Sequence, residues 1–377
     1  MMLVVVDGKE VEVEEGKVET PGSFLRWVGD GAYTAMTVFR WTGNEVEGTS
    51  YDDDDDDDDD DAACHPLEEE EVGERWVLPL WRRHAERLVE SMRWLYPDHC
   101  IAGGEGGLEE AVEEASRATV EAVLRLRGRS RTRGTGGRSA VDMLTLVVRP
   151  GDQAKGLSCL AHLFTLPPPP LTGVTAPAGL LLRQHERPTP QAKSCQWASE
   201  RLGLERDLVR AREQHQGLTE VLLVSDEGEV LEGMKSSFFV VERLDGDGDG
   251  SRGRGKWENH QLVTCPISRG ILPGIARQAV IEIAERELGV PTVERPLSVS
   301  EADRWEEAFV TNAVKGIQPV NVVVSSPMQE SGSTLTSELR FWDSRGRLTL
   351  ALEEHLRQHF SDPSVRDTIT LWIHHDE

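Results

Sequence analysis

Two stretches in the second half of this 377-residue chain hold residue types that could do chemistry together. The first, SRGILPGIARQAVIEIAERELGVP from Ser268 to Pro291, is a Gly- and Pro-punctuated turn that opens an amphipathic helix. A helix start presents N–H groups with no partner inside the helix, at the positive end of the helix dipole. Gly274, Ile275 and Ala276 are therefore a candidate phosphate seat. Most such turns are only caps, so this signal takes its weight from its surroundings. The second stretch, EVLLVSDEGEVLEGMKSSFFVVE from Glu220 to Glu242, reads as strand, turn and strand with a Glu-Gly step, Glu232-Gly233, among residues of buried type. A carboxylate placed there is costly unless a charge or a donor meets it. Without context Glu232 would be a strand-end residue facing solvent.

The remaining chain must position these groups. Ala32 to Thr42 follows the turn-like Gly29-Asp30-Gly31 and is predicted to be a strand. From Leu80 the pattern becomes helical, with Leu80, His84, Leu88, Ser91, Met92 and Leu95 on one face. A second helix is predicted over about Leu108 to Leu126, with Ala111, Val112, Ala115, Val120 and Val123 near a common stripe. Strands are predicted at Met143 to Arg149 and Leu157 to Leu166. Pro167 to Pro170 then form a stiff segment without backbone donors, suited to an interdomain linker. Further on, strands are expected at 219–225, 229–231, 236–243 and 307–311, and a helix at 274–288. The chain thus divides into a small N-terminal α/β domain (1–166), a linker (167–178) and a C-terminal domain (179–377).

Three insertions interrupt this scheme. Ten adjacent carboxylates, Asp52 to Asp61, cannot pack, so about 45–74 is expected to be a disordered insertion. RGRSRTRGTGGRS, ending at Ser139, lacks the interleaved aromatics of an RNA-binding arm and reads as an irregular surface loop. Asp245, Asp247, Asp249 and Gly250 begin like a calcium loop, but Lys256 stands where a bidentate Glu belongs, so 245–256 reads as a hairpin connection without a metal.

The net charge of −26 argues against nucleic acid and anionic membranes as partners. Five scattered cysteines (Cys64, Cys100, Cys159, Cys195, Cys265) with no CxxC pair fit reduced thiols and indicate neither a disulfide framework nor a zinc site. The N-terminal stretch lacks the basic region and long apolar core of a signal peptide, and no stretch approaches the roughly 20 apolar residues of a membrane span. A cytoplasmic location is expected.

On these residues the chain resembles the class IV (fold type IV) aminotransferases. Glu220 to Asp226, Glu232-Gly233, Ser237-Phe238-Phe239 and Gly270 to Arg277 stand in the order and frame of that family's E-x-L-L-hydrophobic-D strand, EG turn, N-x-F strand and GILPGITR turn. VERPLSVSEADRWEEAFVTNAVKGIQPV (Val293 to Val320) is similar to its ERPL segment and closing stretch. GDGAYTAM (Gly29 to Met36) resembles its GDGVFET element, and HAERLVES (His84 to Ser91) its H-x-x-R-L-x-x-S helix. The likeness runs from about Gly22 to Val320.

The resemblance implies an α/β protein with a small N-terminal domain and a larger C-terminal pseudo-barrel, pyridoxal 5'-phosphate as cofactor, an amino acid and a 2-oxo acid as substrates, and a homodimer. It implies that Lys193 carries the cofactor as an internal aldimine and later moves the substrate proton. Within the family's window for that lysine, Lys193 is the only one between Arg183 and Met234. Its KSCQW context resembles a plant and algal branch. Arg87, with the backbone at Ile275 and Ala276, would grip the phosphate. Glu232 would keep the pyridine nitrogen protonated, and Tyr33 would line the substrate pocket. Three positions depart from the pattern: Ser237 replaces Asn, Ala276 replaces Thr, and Ala313 stands where many relatives carry a phosphate-binding Thr, leaving the neighbouring Asn312 to compensate. The TNAVKGIQPV form is closer to aminodeoxychorismate lyases, which use the same cofactor and lysine to expel pyruvate. A lyase, or a catalytically silent cofactor-binding scaffold, is thus an alternative to a transaminase.

Overall fold

The computed structural model describes residues 2–13, 17–41, 73–98, 105–131, 141–151, 156–166, 176–244, 257, 259–325, 337–340 and 346–374. The acidic run, the four prolines, the 245–256 loop and the basic loop beyond Arg131 lie outside the described residues.

Strands β1 (Met2–Val6), β2 (Lys9–Glu10), β3 (Ala32–Trp41), β4 (Gly73–Leu78), β5 (Asp142–Pro150) and β6 (Leu157–Thr165) belong to a first sheet. A second sheet holds β7 (Ala178–Gln184), β8 (Leu218–Val224), β9 (Glu229–Gly233), β10 (Ser237–Arg243), β11 (His260–Thr264), β12 (Thr292–Glu294), β13 (Leu297–Ser298), β14 (Trp305–Asn312), β15 (Gly316–Ser325) and β16 (Ser337–Arg340). The last strand, β17 (Ile369–His374), pairs antiparallel with β4. The first sheet therefore runs β17-β4-β3-β5-β6-β1-β2, and the second β12-β11-β10-β14-β15-β7-β8-β9-β13 with β16 on β15. The sequence scheme ends its linker at 178 and keeps the chain's end in the C-terminal domain; in the structure β7 begins at Ala178, and β17 pairs with β4 of the first sheet.

The helices are α1 (Pro21–Val28), α2 (Trp81–Leu95), α3 (Glu105–Arg131), α4 (Trp197–Glu200), α5 (Leu202–Arg212), α6 (Ile275–Arg286) and α7 (Arg347–Ser361). Strand alternation gives the first sheet two working faces. Met36, Val38, Leu144 and Leu146 pack with Leu88, Met92, Val112 and Val120 of α2 and α3. Tyr33, Val147 and Leu160 face the other way, against Phe24 and Leu25 of α1 and against Cys195 and Ala198. In the second unit α6 and α7 bury Ile275, Val280, Ile283, Leu348 and Leu352 on Phe239 and Phe309.

Helix α3 runs further than the sequence suggests. The predicted loop opens at Arg127, yet the helix continues to Arg131. The reason is a buried carboxylate: Asp142 is fully buried and accepts two hydrogen bonds from Arg127, at 2.9 and 3.0 Å. Leu80, the N-cap of helix α2, lies in the left-handed region (φ 51°) and offers no capping side chain. The tail before β17 supplies the acceptors instead, Thr368 Oγ1 for Leu80 N–H (3.2 Å) and Asp367 O for Arg82 N–H (3.1 Å). Arg83 donates to Asp367 and to Glu282 of α6, so α2, α6 and the tail are tied together. Among the described residues no helix is long and apolar enough to cross a membrane.

Candidate active site

A cavity of about 450 Å³ opens between the two sheets, and all eight predicted site residues line it: Tyr33, Arg87, Lys193, Glu232, Ile275, Ala276, Asn312 and Ala313. Distant parts of the chain carry them: the β3 start and α2, the segment leading into α4, the end of β9, the start of α6, and the turn from β14 to β15.

Lys193 is pinned through its backbone. Its N–H donates to Ser91 Oγ of α2 (3.0 Å), and its carbonyl accepts from Tyr33 N–H (2.8 Å). Its Nζ lies 4.8 Å from the centre of the Tyr33 ring. The residue is half-buried and lines the cavity. Burial drives its pKa well below the ordinary lysine value, and Arg87, Arg187 and Arg201 push the same way against Glu232. A lysine near its neutral form has a lone pair available as a nucleophile and a base.

Glu232, 3% exposed, has the charge and donor that its burial demands. Arg187 Nε donates to Oε1 at 2.9 Å, and Leu272 N–H donates to Oε2 at 3.3 Å. The Arg187 guanidinium lies 4.3 Å over the Trp197 ring, and the Trp197 indole N–H donates to Met234 O at 2.9 Å. The aromatic residue of the KSCQW run thus ties the lysine segment to the EG turn. Gly233 is required there: a Cβ would collide with Ser236 Oγ and stand 2.8 Å from Glu220 Oε1. Glu220, buried beneath the turn, accepts from Lys235 N–H at 2.6 Å. Burial raises the Glu220 pKa, while this backbone hydrogen bond opposes the rise. Glu220, the third residue of β8, therefore caps the turn presenting Glu232.

The phosphate seat is also built. Helix α6 begins at Gly274 (φ −76°, ψ 132°) without a capping side chain, so its first N–H groups lack a side-chain acceptor. A Cβ at Gly274 would lie 2.9 Å from Ser237 Oγ. Arg87, 7% exposed, donates through Nη2 to Thr34 Oγ1 at 2.5 Å, and its Nε has no partner among the described residues. Burial lowers its pKa to about 10. Thr34 Oγ1 also lies 2.5 Å from His84 Nδ1. Arginine can only donate, so Thr34 accepts from Arg87, and the same hydroxyl shares a hydrogen bond with His84 Nδ1. Burial, followed by Arg87 and Lys193, holds His84 well below its ordinary pKa and so neutral.

Asn312 is less free to compensate for Ala313 than the sequence suggests. Its Oδ1 accepts from Val314 N–H (3.0 Å) and Lys315 N–H (2.8 Å), closing its own turn. Only its amide N–H groups are left to serve a ligand. Sequence reasoning missed Arg187, Trp197, Thr34 and His84. Arg187 had a usable signal: a buried Glu needs a cation, and an arginine stands six residues before the lysine in RPTPQAK.

The family model for amino-transferase class IV matches residues 74–323. A putative branched-chain-amino-acid aminotransferase of Methanocaldococcus jannaschii is 28% identical over 161 residues, 42% of this chain and 48% of that protein. A probable branched-chain-amino-acid aminotransferase of Thermotoga maritima is 33% identical over 114 residues, 30% of this chain and 36% of that protein. This chain thus spans less than half the length of these curated relatives. In fold it is similar to the branched-chain amino acid aminotransferase of Thermobaculum terrenum in its PLP form, with a TM-score of 0.56 and 16% identity over 99% of this chain and 98% of that one. The Escherichia coli branched-chain amino acid aminotransferase gives 0.55 and 18%, over 97% and 98%.

Proposed function

Because the chain belongs to the class IV aminotransferases, whose cofactor is pyridoxal 5'-phosphate, we propose that it moves an amino group between an amino acid and a 2-oxo acid in the cavity around Lys193. One observation carries this proposal: a half-buried amine driven toward its neutral form shares a cavity with an arginine-paired carboxylate and an uncapped helix start.

The residues fit the cofactor. Arg87, whose Nε has no partner among the described residues, and the N–H groups of Ile275 and Ala276 would hold the phosphate. The backbone at Ala313 and the Asn312 amide would border it. Ala276 and Ala313 bring no hydroxyl, so the seat relies on Arg87 and on backbone donors. Glu232, with Arg187 as its countercharge, would face the ring nitrogen. When bound, the cofactor supplies an electron sink for bond breaking at the substrate α-carbon. Lys193 Nζ is the nucleophile that holds the cofactor and the base that carries the proton at that carbon. Tyr33 fixes the lysine backbone and borders the substrate. Location in the cytoplasm and assembly as a homodimer belong to the same proposal.

The test supplies single amino acids to the cofactor-loaded protein without a 2-oxo acid. A transaminase changes the cofactor absorbance and releases one equivalent of 2-oxo acid, and an added acceptor reverses the change. Continued pyruvate release without an acceptor would replace transamination with lyase chemistry. No spectral change with any donor would overturn both.

A further inference from the structure

Alternation along β3 puts Ala32, Thr34 and Met36 on one face, and Ala32 and Met36 belong to the apolar layer that holds Leu88 and Met92 of α2. Thr34 is fully buried in that layer, where a hydroxyl is costly unless it is bonded. Its Oγ1 meets two side chains of α2, Arg87 Nη2 and His84 Nδ1, each at 2.5 Å. These two residues stand three apart on one face of the helix and are 7% and 1% exposed.

Little else holds Arg87. Among the described residues its guanidinium donates only this hydrogen bond, and no carboxylate pairs with it. An arginine without any partner would spread its donors over many rotamers, and one paired with an acid would share its charge with that acid. A neutral hydroxyl avoids both outcomes. It fixes one end of the guanidinium and leaves the charge to a ligand, together with the Nε that has no partner among the described residues. A lone hydroxyl can rotate, but His84 supplies a second anchor from the same helix, one turn before Arg87. Tyr33, the neighbour of Thr34, serves a different group, since its N–H donates to Lys193 O at 2.8 Å. Adjacent residues of β3 thus attend to the lysine and to the arginine separately.

We infer that Thr34, anchored by His84, is the positioning residue of the phosphate seat, holding Arg87 in place for the cofactor's phosphate without taking up any of its charge. This rests on the reading of Arg87 as a phosphate ligand.

The test titrates the full chain, freed of cofactor, with pyridoxal 5'-phosphate and with pyridoxal, which lacks the phosphate, and follows tryptophan fluorescence. Both ligands bring the same aldehyde to Lys193, so the ratio of their affinities isolates the phosphate seat. Thr34→Val, equal in shape but without the hydroxyl, is expected to lower that ratio about tenfold, the scale of one hydrogen bond to a charged group. Thr34→Ser keeps the hydroxyl and should stay within about threefold of wild type. His84→Phe removes only the second anchor and should lower the ratio about threefold, which gives a reading even if the valine variant does not fold. Pyridoxal affinity should hold within about twofold throughout. A general loosening of β3 would not spare it, because Tyr33 fixes the Lys193 backbone. An unchanged ratio in Thr34→Val, or in His84→Phe should the valine variant not fold, would overturn the inference, as would an equal loss of both ligands. If wild type does not distinguish the two ligands, the phosphate seat itself falls. If wild type distinguishes them and the variants do so equally well, only the role of Thr34 falls.

Discussion

Arg187→Met should be among the most damaging single changes outside the lysine. The variant keeps a long side chain but leaves Glu232, 3% exposed, with only the 3.3 Å bond from Leu272 N–H. Breaking a buried pair by removing one partner costs about 3 to 5 kcal/mol, because the remaining charge stays buried without compensation. Losing the guanidinium from its place 4.3 Å over the Trp197 ring adds about 1 kcal/mol. A loss of about 4 to 6 kcal/mol is therefore expected in urea unfolding of the cofactor-free protein, followed by tryptophan fluorescence. The double variant Arg187→Met/Glu232→Gln removes both charges and leaves an amide oxygen for Leu272 N–H. It should recover all but about 1 to 2 kcal/mol. If Arg187→Met costs less than about 1 kcal/mol, or if the second substitution brings no recovery, Arg187 is not the countercharge of Glu232.

Three further substitutions test other joints of the structure. His162 is fully buried, stacked 5.0 Å from Phe24, and neither ring nitrogen has a partner among the described residues. Burial lowers its pKa to about 4, so between there and the unfolded value of about 6.5 the unfolded chain binds more protons; stability is lost as pH falls through that window, by about 3 kcal/mol in all. His162→Phe should flatten the urea midpoint between pH 7 and pH 4 by that amount. Gly233→Ala drives a methyl into Ser236 and Glu220 and should destabilise the protein by about 1 to 3 kcal/mol in the same assay. Arg83 lies outside the cavity lining, but Arg83→Leu cuts the tie from α2 to α6 and the tail. Fluorescence titration of the cofactor-free variant should show cofactor affinity lower by roughly fivefold, the equivalent of about 1 kcal/mol for a half-exposed pair; an unchanged affinity would show that the tie does not position the phosphate seat.

Much of the site could be read from the sequence because its parts are local patterns. The Gly-Pro turn before α6 and the Glu-Gly step mark backbone geometries that few other residues permit, and Gly233 shows why: its Cβ position is filled by Glu220 and Ser236. The helical face through His84 and Leu88 was likewise evident from its period, and α2 buries both. What the sequence concealed depends on distance along the chain. Arg187 meets Glu232 across 45 residues, and Thr34 joins Arg87 across 53. Neither spacing has a local signature. The return of β17 to β4 depends on pairing between chain segments almost 300 residues apart, and the run of α3 past Leu126 depends on an aspartate in the next strand.

The central claim is that Lys193 holds the cofactor. Borohydride reduction of the cofactor-loaded protein, followed by digestion and peptide mass mapping, tests it most directly. The added cofactor mass is expected on the peptide carrying Lys193 and should vanish in Lys193→Ala. Lys235 and Lys315 line the same cavity, so each is a built-in alternative. Mass found on either of them, or no trapped cofactor at all, would contradict the assignment.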